Sequence, residues 1–145
     1  MTESIFSRLE HMGVVVRDLD KAIEYYQSLG IGPFEVIATD TITDKTMYGK
    51  PMNWKMKAAI AQMGPIKFEL IEPVEDAPLW EEFLERGGEG INHLAFVVDD
   101  CAKETAKLTN KGLKVVQTAR FESGGSCAFF DTREVGGVII ELIQW

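Results

Sequence analysis

A chain of 145 residues has the size of one ordinary domain and can bury a core without disulfide or metal staples. Hydrophobic residues at 46% and charged residues at 26% exclude a disordered tail, and no apolar run reaches the roughly 18–20 residues of a membrane-spanning helix. The net charge of −8 excludes the basic footprint of non-specific nucleic-acid binding and gives anionic ligands no general attraction. Cys101 and Cys127 form neither a CxxC pair nor a disulfide framework, and Met1-Thr2-Glu3-Ser4 has no apolar signal core, so a reducing cytoplasm is the expected compartment.

In chain order the elements come twice. His11-Met12-Gly13-Val14-Val15-Val16-Arg17-Asp18 matches His93-Leu94-Ala95-Phe96-Val97-Val98-Asp99-Asp100, and the same offset carries Lys21 to Lys103 and Gly30 to Gly112. Phe68-Glu69-Leu70-Ile71 matches Ile140-Glu141-Leu142-Ile143 at a shorter offset, so the second copy lacks about ten residues in its middle. In the first copy a buried strand is expected over Met12–Val16, followed by an acidic cap at Asp18 or Asp20. A helix then carries Ala22, Tyr25, Tyr26 and Leu29 on one face and ends at Gly30. Extended segments follow over Phe34–Thr41, Trp54–Met63 and Ile66–Ile71.

A linker helix over 76–87 starts at Asp76-Ala77-Pro78, carries Leu79, Trp80, Phe83 and Leu84, and stops at Gly87-Gly88; packing is its expected role. The second copy repeats the plan with strand Leu94–Val98, a helix from Cys101 and segments Lys114–Thr118, Cys127–Asp131 and Val138–Ile143. The fold class is therefore α+β, paired βαβββ modules at about 9–73 and 91–144.

The repeat carries chemistry. His11 and His93 are the only histidines, and each opens the first strand of a module, while Glu69 and Glu141 occupy equivalent places on the last strands. Glu69 lies between Phe68 and Leu70, and Glu141 between Ile140 and Leu142, where an ionised carboxylate on a buried face is costly unless paired or metal-bound. Any one of these residues alone reads as a solvated strand glutamate or a hydrogen-bonded structural histidine. Four in repeat-equivalent places read as ligands for one divalent metal, since imidazole and carboxylate accept Mn, Fe, Co, Ni or Zn.

From Leu9 to Gln144 the pattern resembles the vicinal oxygen chelate superfamily of glyoxalases, epimerases, extradiol dioxygenases and bleomycin-resistance proteins. Glu89-Gly90-Ile91-Asn92-His93-Leu94-Ala95-Phe96-Val97-Val98-Asp99-Asp100 is similar to a segment of methylmalonyl-CoA epimerases, as are Glu69-Leu70-Ile71-Glu72-Pro73 and Gly136-Gly137-Val138-Ile139-Ile140-Glu141-Leu142. The resemblance implies paired modules whose sheet curls around a metal cleft, with metal ligands His11, Glu69, His93 and Glu141. It implies a metal-dependent isomerase or epimerase that moves a proton on carbon next to a carbonyl, with Glu141 doubling as base and Glu69 as the second catalytic carboxylate. The alternatives are a glyoxalase I-like lyase and a non-catalytic small-molecule-binding module.

The resemblance also implies a small-molecule substrate of thioester type and a homodimer. The place of the epimerases' further catalytic Glu falls on Lys57, an acid or an anchor for an anionic substrate if it is not a solvated strand lysine. Glu35 and Glu72 lie near the cleft ends, and Glu72 is expected to point away from the face of Glu69. Trp54, Met56 and Met63 either line the cleft or belong to the core, and Ser123-Gly124-Gly125-Ser126 is a hairpin turn or a loop that closes over substrate.

Overall fold

The computed structural model describes residues 3–145; Met1 and Thr2, part of the stretch inspected for an export signal, lie outside the described residues. The first half runs β1 (Leu9–Val15), α1 (Leu19–Ser28), β2 (Glu35–Val36), a 3-10 turn (Thr39–Thr41), β3 (Ile42–Met47), β4 (Lys50–Pro51), β5 (Lys55–Met63) and β6 (Ile66–Glu75). Then come α2 (Pro78–Gly87), β7 (Gly90–Val97), α3 (Cys101–Asn110), β8 (Val115–Phe121), β9 (Ser126–Phe130) and β10 (Ile139–Gln144). The paired βαβββ modules are present: β1-α1-β2-β5-β6 and β7-α3-β8-β9-β10. None of the described helices is long and apolar enough to cross a membrane.

Two compact units form, one from residues 11–39 and 54–92 and the other from residues 3–10, 40–53 and 93–145. In the first the strands lie in the order β2-β5-β6-β1, with β1 and β6 parallel and β5 antiparallel to both its neighbours. In the second the order is β7-β10-β9-β8-β3-β4, with β7 and β10 parallel and the other pairings antiparallel.

Parallel neighbours need a crossover, and α1 and α3 supply it by the same device. Asp18 caps α1 by accepting from the Lys21 amide at 3.0 Å, and Asp100 caps α3 by accepting from the Lys103 amide at 3.0 Å. The first helical amide is held by the Glu strand itself: Leu19 N donates to Glu72 Oε2 and Cys101 N to Gln144 Oε1, each at 2.9 Å. Just before each cap, Val16 N donates to the Ile71 carbonyl at 2.8 Å and Val98 N to the Ile143 carbonyl at 2.9 Å. Gly30 and Gly112 end the helices at φ of 94° and 96°, a conformation that costs a side chain-bearing residue about 1–2 kcal/mol.

Each helix buries one face of its sheet. Against α1 pack Val14 and Val16 of the first strand's end, Ala59, Phe68 and Leu70, with Met12 and Met63 at the margin. Against α3 pack Val98, Ala128, Phe130 and Leu142. Burying the larger of these side chains contributes about 1.5–3 kcal/mol each. The face that α1 turns inward is Leu19, Ala22, Ile23 and Tyr26; Tyr25 and Leu29 are exposed, so the stripe begins three residues before the expected one. In α2, Leu79 and Trp80 are buried, and the Trp80 ring meets Trp54 edge-on at 5.5 Å, so Trp54 is core.

The middle of the first half departs from expectation. The extended segment Phe34–Thr41 contracts to the two residues of β2, and the hairpin β3–β4, which supplies the ten residues missing from the second copy, follows it. Tyr48 and Gly49 turn that hairpin with φ of 49° and 78°, the doubly positive pair of a tight two-residue turn. The hairpin joins the second unit: β3 pairs with β8, and Thr46 Oγ1 lies 2.6 Å from Thr118 Oγ1.

Ser123-Gly124-Gly125-Ser126 is a locked turn, with Phe121 N donating to the Gly125 carbonyl at 2.9 Å. A Cβ on Gly125 meets the Gln144 carbonyl oxygen at 2.0 Å, whereas one on Gly87, at the end of α2, meets nothing within 4 Å. Gly125→Ala is expected to destabilise by about 1–3 kcal/mol through backbone displacement, and Gly87→Ala to stabilise by about 0.4–1 kcal/mol through the unfolded chain. Urea titrations of the two variants check the opposite signs.

Candidate functional site

Each unit holds one His–Glu pair, and the two pairs are built alike. In the parallel pairing of β1 with β6, Glu69 stands opposite Gly13, two residues beyond His11; in that of β10 with β7, Glu141 stands opposite Ala95, two residues beyond His93. Alternation along each strand puts the His and the Glu on the same face, the one turned away from the unit's crossover helix. His11 Nε2 lies 3.5 Å from Glu69 Oε1, and His93 Nε2 lies 3.3 Å from Glu141 Oε2.

All four side chains are buried: His11 is 3% exposed, Glu69 8%, His93 0% and Glu141 4%. Two donors bound to one ion at about 2.0–2.2 Å stand roughly 3.0–3.5 Å apart, so each pair has the spacing of adjacent metal ligands. The donor set, imidazole nitrogen and carboxylate oxygen, suits a borderline divalent metal. In the second unit the Phe129 ring meets His93 edge-on at 5.2 Å and holds the imidazole plane.

The other sequence-selected residues divide by strand alternation. Ile60 stands opposite Glu69 on β5 and Ala58 opposite Ile71, so Met56, Ala58 and Ile60 face the same way as Glu69. Lys57 stands opposite Glu72, on the α1 side and exposed. The structure thus brings His11 to Glu69 and His93 to Glu141, but Lys57 lies on the face of its sheet opposite to that of Glu69. Glu72 points away from Glu69 as expected, and its carboxylate is engaged by the Leu19 amide. Glu35 is an exposed residue of β2, and Met63 belongs to the α1 core.

Both cysteines are free and buried. Burial, ahead of every other influence, pushes the Cys101 thiol above its ordinary pKa, which suits a packing residue at the start of α3 and not a nucleophile. The sequence reading missed two residues of the Glu141 face, Phe129 and Gln117. Phe129 stands opposite both Glu141 on β10 and Gln117 on β8, and Gln117 is 0% exposed. An aromatic and a glutamine in alternating strands carry no distinguishing pattern.

The repeated modules and their paired His and Glu side chains point to the class. Residues 10–130 match the glyoxalase/bleomycin resistance protein/dioxygenase superfamily, and the chain belongs to it. Among individual proteins, it is 29% identical over 144 residues to the uncharacterized protein YqjC of Bacillus subtilis, covering 95% of this chain and 92% of that one. It is 26% identical to the mitochondrial methylmalonyl-CoA epimerase of Mus musculus, covering 94% of this chain and 72% of that one. The crystal structure of methylmalonyl-CoA epimerase from Mycobacterium tuberculosis superposes with a TM-score of 0.72 at 26% identity over 99% of this chain and 91% of that chain. A methylmalonyl-CoA epimerase in complex with methylmalonyl-CoA and NH4+ gives 0.73 at 25% identity over 96% and 94%.

Two substitutions test the division by faces. Lys57→Met is expected to change stability by less than about 0.5 kcal/mol and to leave metal uptake as in the wild type. Glu72→Ala is expected to cost about 1 kcal/mol, the usual value of a lost helix cap, again with uptake unchanged. Denaturant melts combined with metal titration of each variant read both quantities.

Proposed function

We propose that the chain is a metal-dependent enzyme that moves a proton on carbon next to a carbonyl, with His11, Glu69, His93 and Glu141 as ligands of one divalent ion of the Mn, Fe, Co, Ni or Zn group. The observation that carries this reading is the duplicated His–Glu pair, buried in both copies and set in the same strand register. The names of the relatives agree with it, since methylmalonyl-CoA epimerases appear among both the sequence and the structural matches. When bound, the ion supplies positive charge to the substrate's carbonyl oxygen and so stabilises the negative charge that develops as the α-proton leaves.

The chain's own groups handle the proton. The Glu141 carboxylate takes it from the α-carbon, the C–H electron pair passes into an enolate, and return of a proton to carbon completes the turnover. Epimerisation returns that proton to the opposite face of the planar carbon and therefore needs a second station. On β5 the residues that share Glu69's direction are Met56, Ala58 and Ile60, none of them acidic or basic, so Glu69 is the second station in this reading. The same observation favours a second reading, a glyoxalase I-like lyase in which two carboxylates suffice to move a proton between adjacent carbons of a hemithioacetal. The substrate class common to both readings is a thioester or thiohemiacetal, and a homodimer is the proposed assembly.

Elemental analysis of the purified chain is expected to find about one divalent transition metal per subunit. Glu141→Gln keeps a ligand oxygen but cannot take a proton. It is expected to retain metal while slowing α-proton exchange into D2O by about two to four orders of magnitude, with Glu69→Gln milder. Methylmalonyl-CoA and the hemithioacetal of methylglyoxal with glutathione are the two substrates to compare. A chain that neither retains nor takes up metal would sink the reading in favour of a binding module.

A further inference from the structure

Gln117 is fully buried, and neither Oε1 nor Nε2 of its amide has a hydrogen-bond partner among the described residues. Each buried donor or acceptor left in this state is destabilising, whereas a leucine or methionine of similar volume would carry no such cost. Its place is defined by register. One row crosses the second unit from Glu141 on β10 through Phe129 on β9 and Gln117 on β8 to Met47 on β3. Directly opposed residues share a face, and the contact of Phe129 with His93 marks this face as that of the His93–Glu141 pair.

A second observation concerns the backbone. The β8–β9 register shifts between Val115 and Gln117, and Val116 and Gln117, neighbours in sequence, are 1% and 0% exposed. A bulge of this kind re-aims a side chain, and bulges gather beside active sites. The residues flanking Gln117 in the row are Phe129 and Met47, both apolar and buried. A carboxylate brought to this place would lose water and find no cationic side chain in the row. A neutral group with one donor and one acceptor satisfies both amide atoms at once.

We infer that Gln117 is a specificity-determining residue that pairs with a neutral donor–acceptor function of the substrate, of which a carboxamide is the simplest, and that a carboxylate at the same place is rejected. The inference deepens the proposed function and rests on it only for the position of the reacting carbon at Glu141. Two strand spacings put Gln117 about 10 Å along the sheet from that residue, so the recognised group lies within a few bonds of the carbon that loses its proton.

The test uses the full, metal-loaded chain with 15N label. The side-chain amide signals of Gln117 are assigned by their absence from Gln117→Leu, or from Gln117→Met if the leucine variant does not fold. Butyramide is expected to shift these signals, and butyrate at equal concentration is not. In parallel, α-proton exchange is compared between methylmalonyl-CoA and its analogue with a carboxamide in place of the free carboxylate. The wild type is expected to favour the carboxamide by at least about tenfold in kcat/KM, and Gln117→Leu to lose that preference through KM with metal content unchanged.

If butyramide shifts the Gln117 signals while neither thioester exchanges, the recognition role stands and the proton-transfer reading fails. If neither probe shifts them, if the wild type favours methylmalonyl-CoA, or if Gln117→Leu leaves both rates as they were, the assignment to Gln117 is overturned.

Discussion

The parallel pairing of a His-bearing strand with a Glu-bearing strand, made once in each unit, is the constraint on which the site depends. Glu69 stands opposite Gly13 and Glu141 opposite Ala95, and in both cases the His lies two residues back along the partner strand. A slip of one residue would turn Glu69 and Glu141 towards α1 and α3 and bring Phe68, Leu70 or Leu142 out of their cores. Burial of those apolar residues therefore fixes the register that the carboxylates need. The crossover helices fix it again, because the strand that carries each Glu also holds the first amide of its helix through Glu72 or Gln144.

That last pair separates charge from geometry. Glu72 and Gln144 stand three residues beyond Glu69 and Glu141, an odd step that reverses direction on a strand, so each faces the helix while its neighbour faces the histidine. One copy uses a carboxylate and the other an amide, and both accept from the helix amide at 2.9 Å. The cap needs an acceptor oxygen and not a negative charge. Glu69 and Glu141, by contrast, are Glu in both copies, in surroundings where a charge is costly to keep.

Much of this was legible in the sequence because the chain states it twice. The strand–Asp cap–helix–Gly unit and the His and Glu positions follow from the internal match, and α2 follows from its Pro start and its Leu79-Trp80 stripe. Where the copies differ, the sequence is a weaker guide. The hairpin β3–β4 has no counterpart, and its pairing with β8 is a contact between residues 72 positions apart, Thr46 and Thr118, that no local pattern announces. Lys57 shows how narrow the margin is on a strand: it stands opposite Glu72, while the face of Glu69 belongs to its neighbours Met56 and Ala58. Gln117 owes its direction to a bulge, a backbone feature without a composition signal, and its significance to partners it lacks, which no sequence displays.

The charge balance of the two pairs bears on what they hold. With imidazoles neutral, each pair buries one negative charge, and an imidazole that accepts or donates one hydrogen bond cannot cancel it. Protonating each histidine would give two buried ion pairs, but it would also turn both Nε2 atoms from ligands into donors, and nothing in such an arrangement requires the two copies to agree. In the proposed reading, two carboxylates and two neutral imidazoles carry a charge of minus two, which one divalent cation would balance. That proposal accounts for a Glu in both copies at 69 and 141, while the helix cap three residues on is Glu in one copy and Gln in the other.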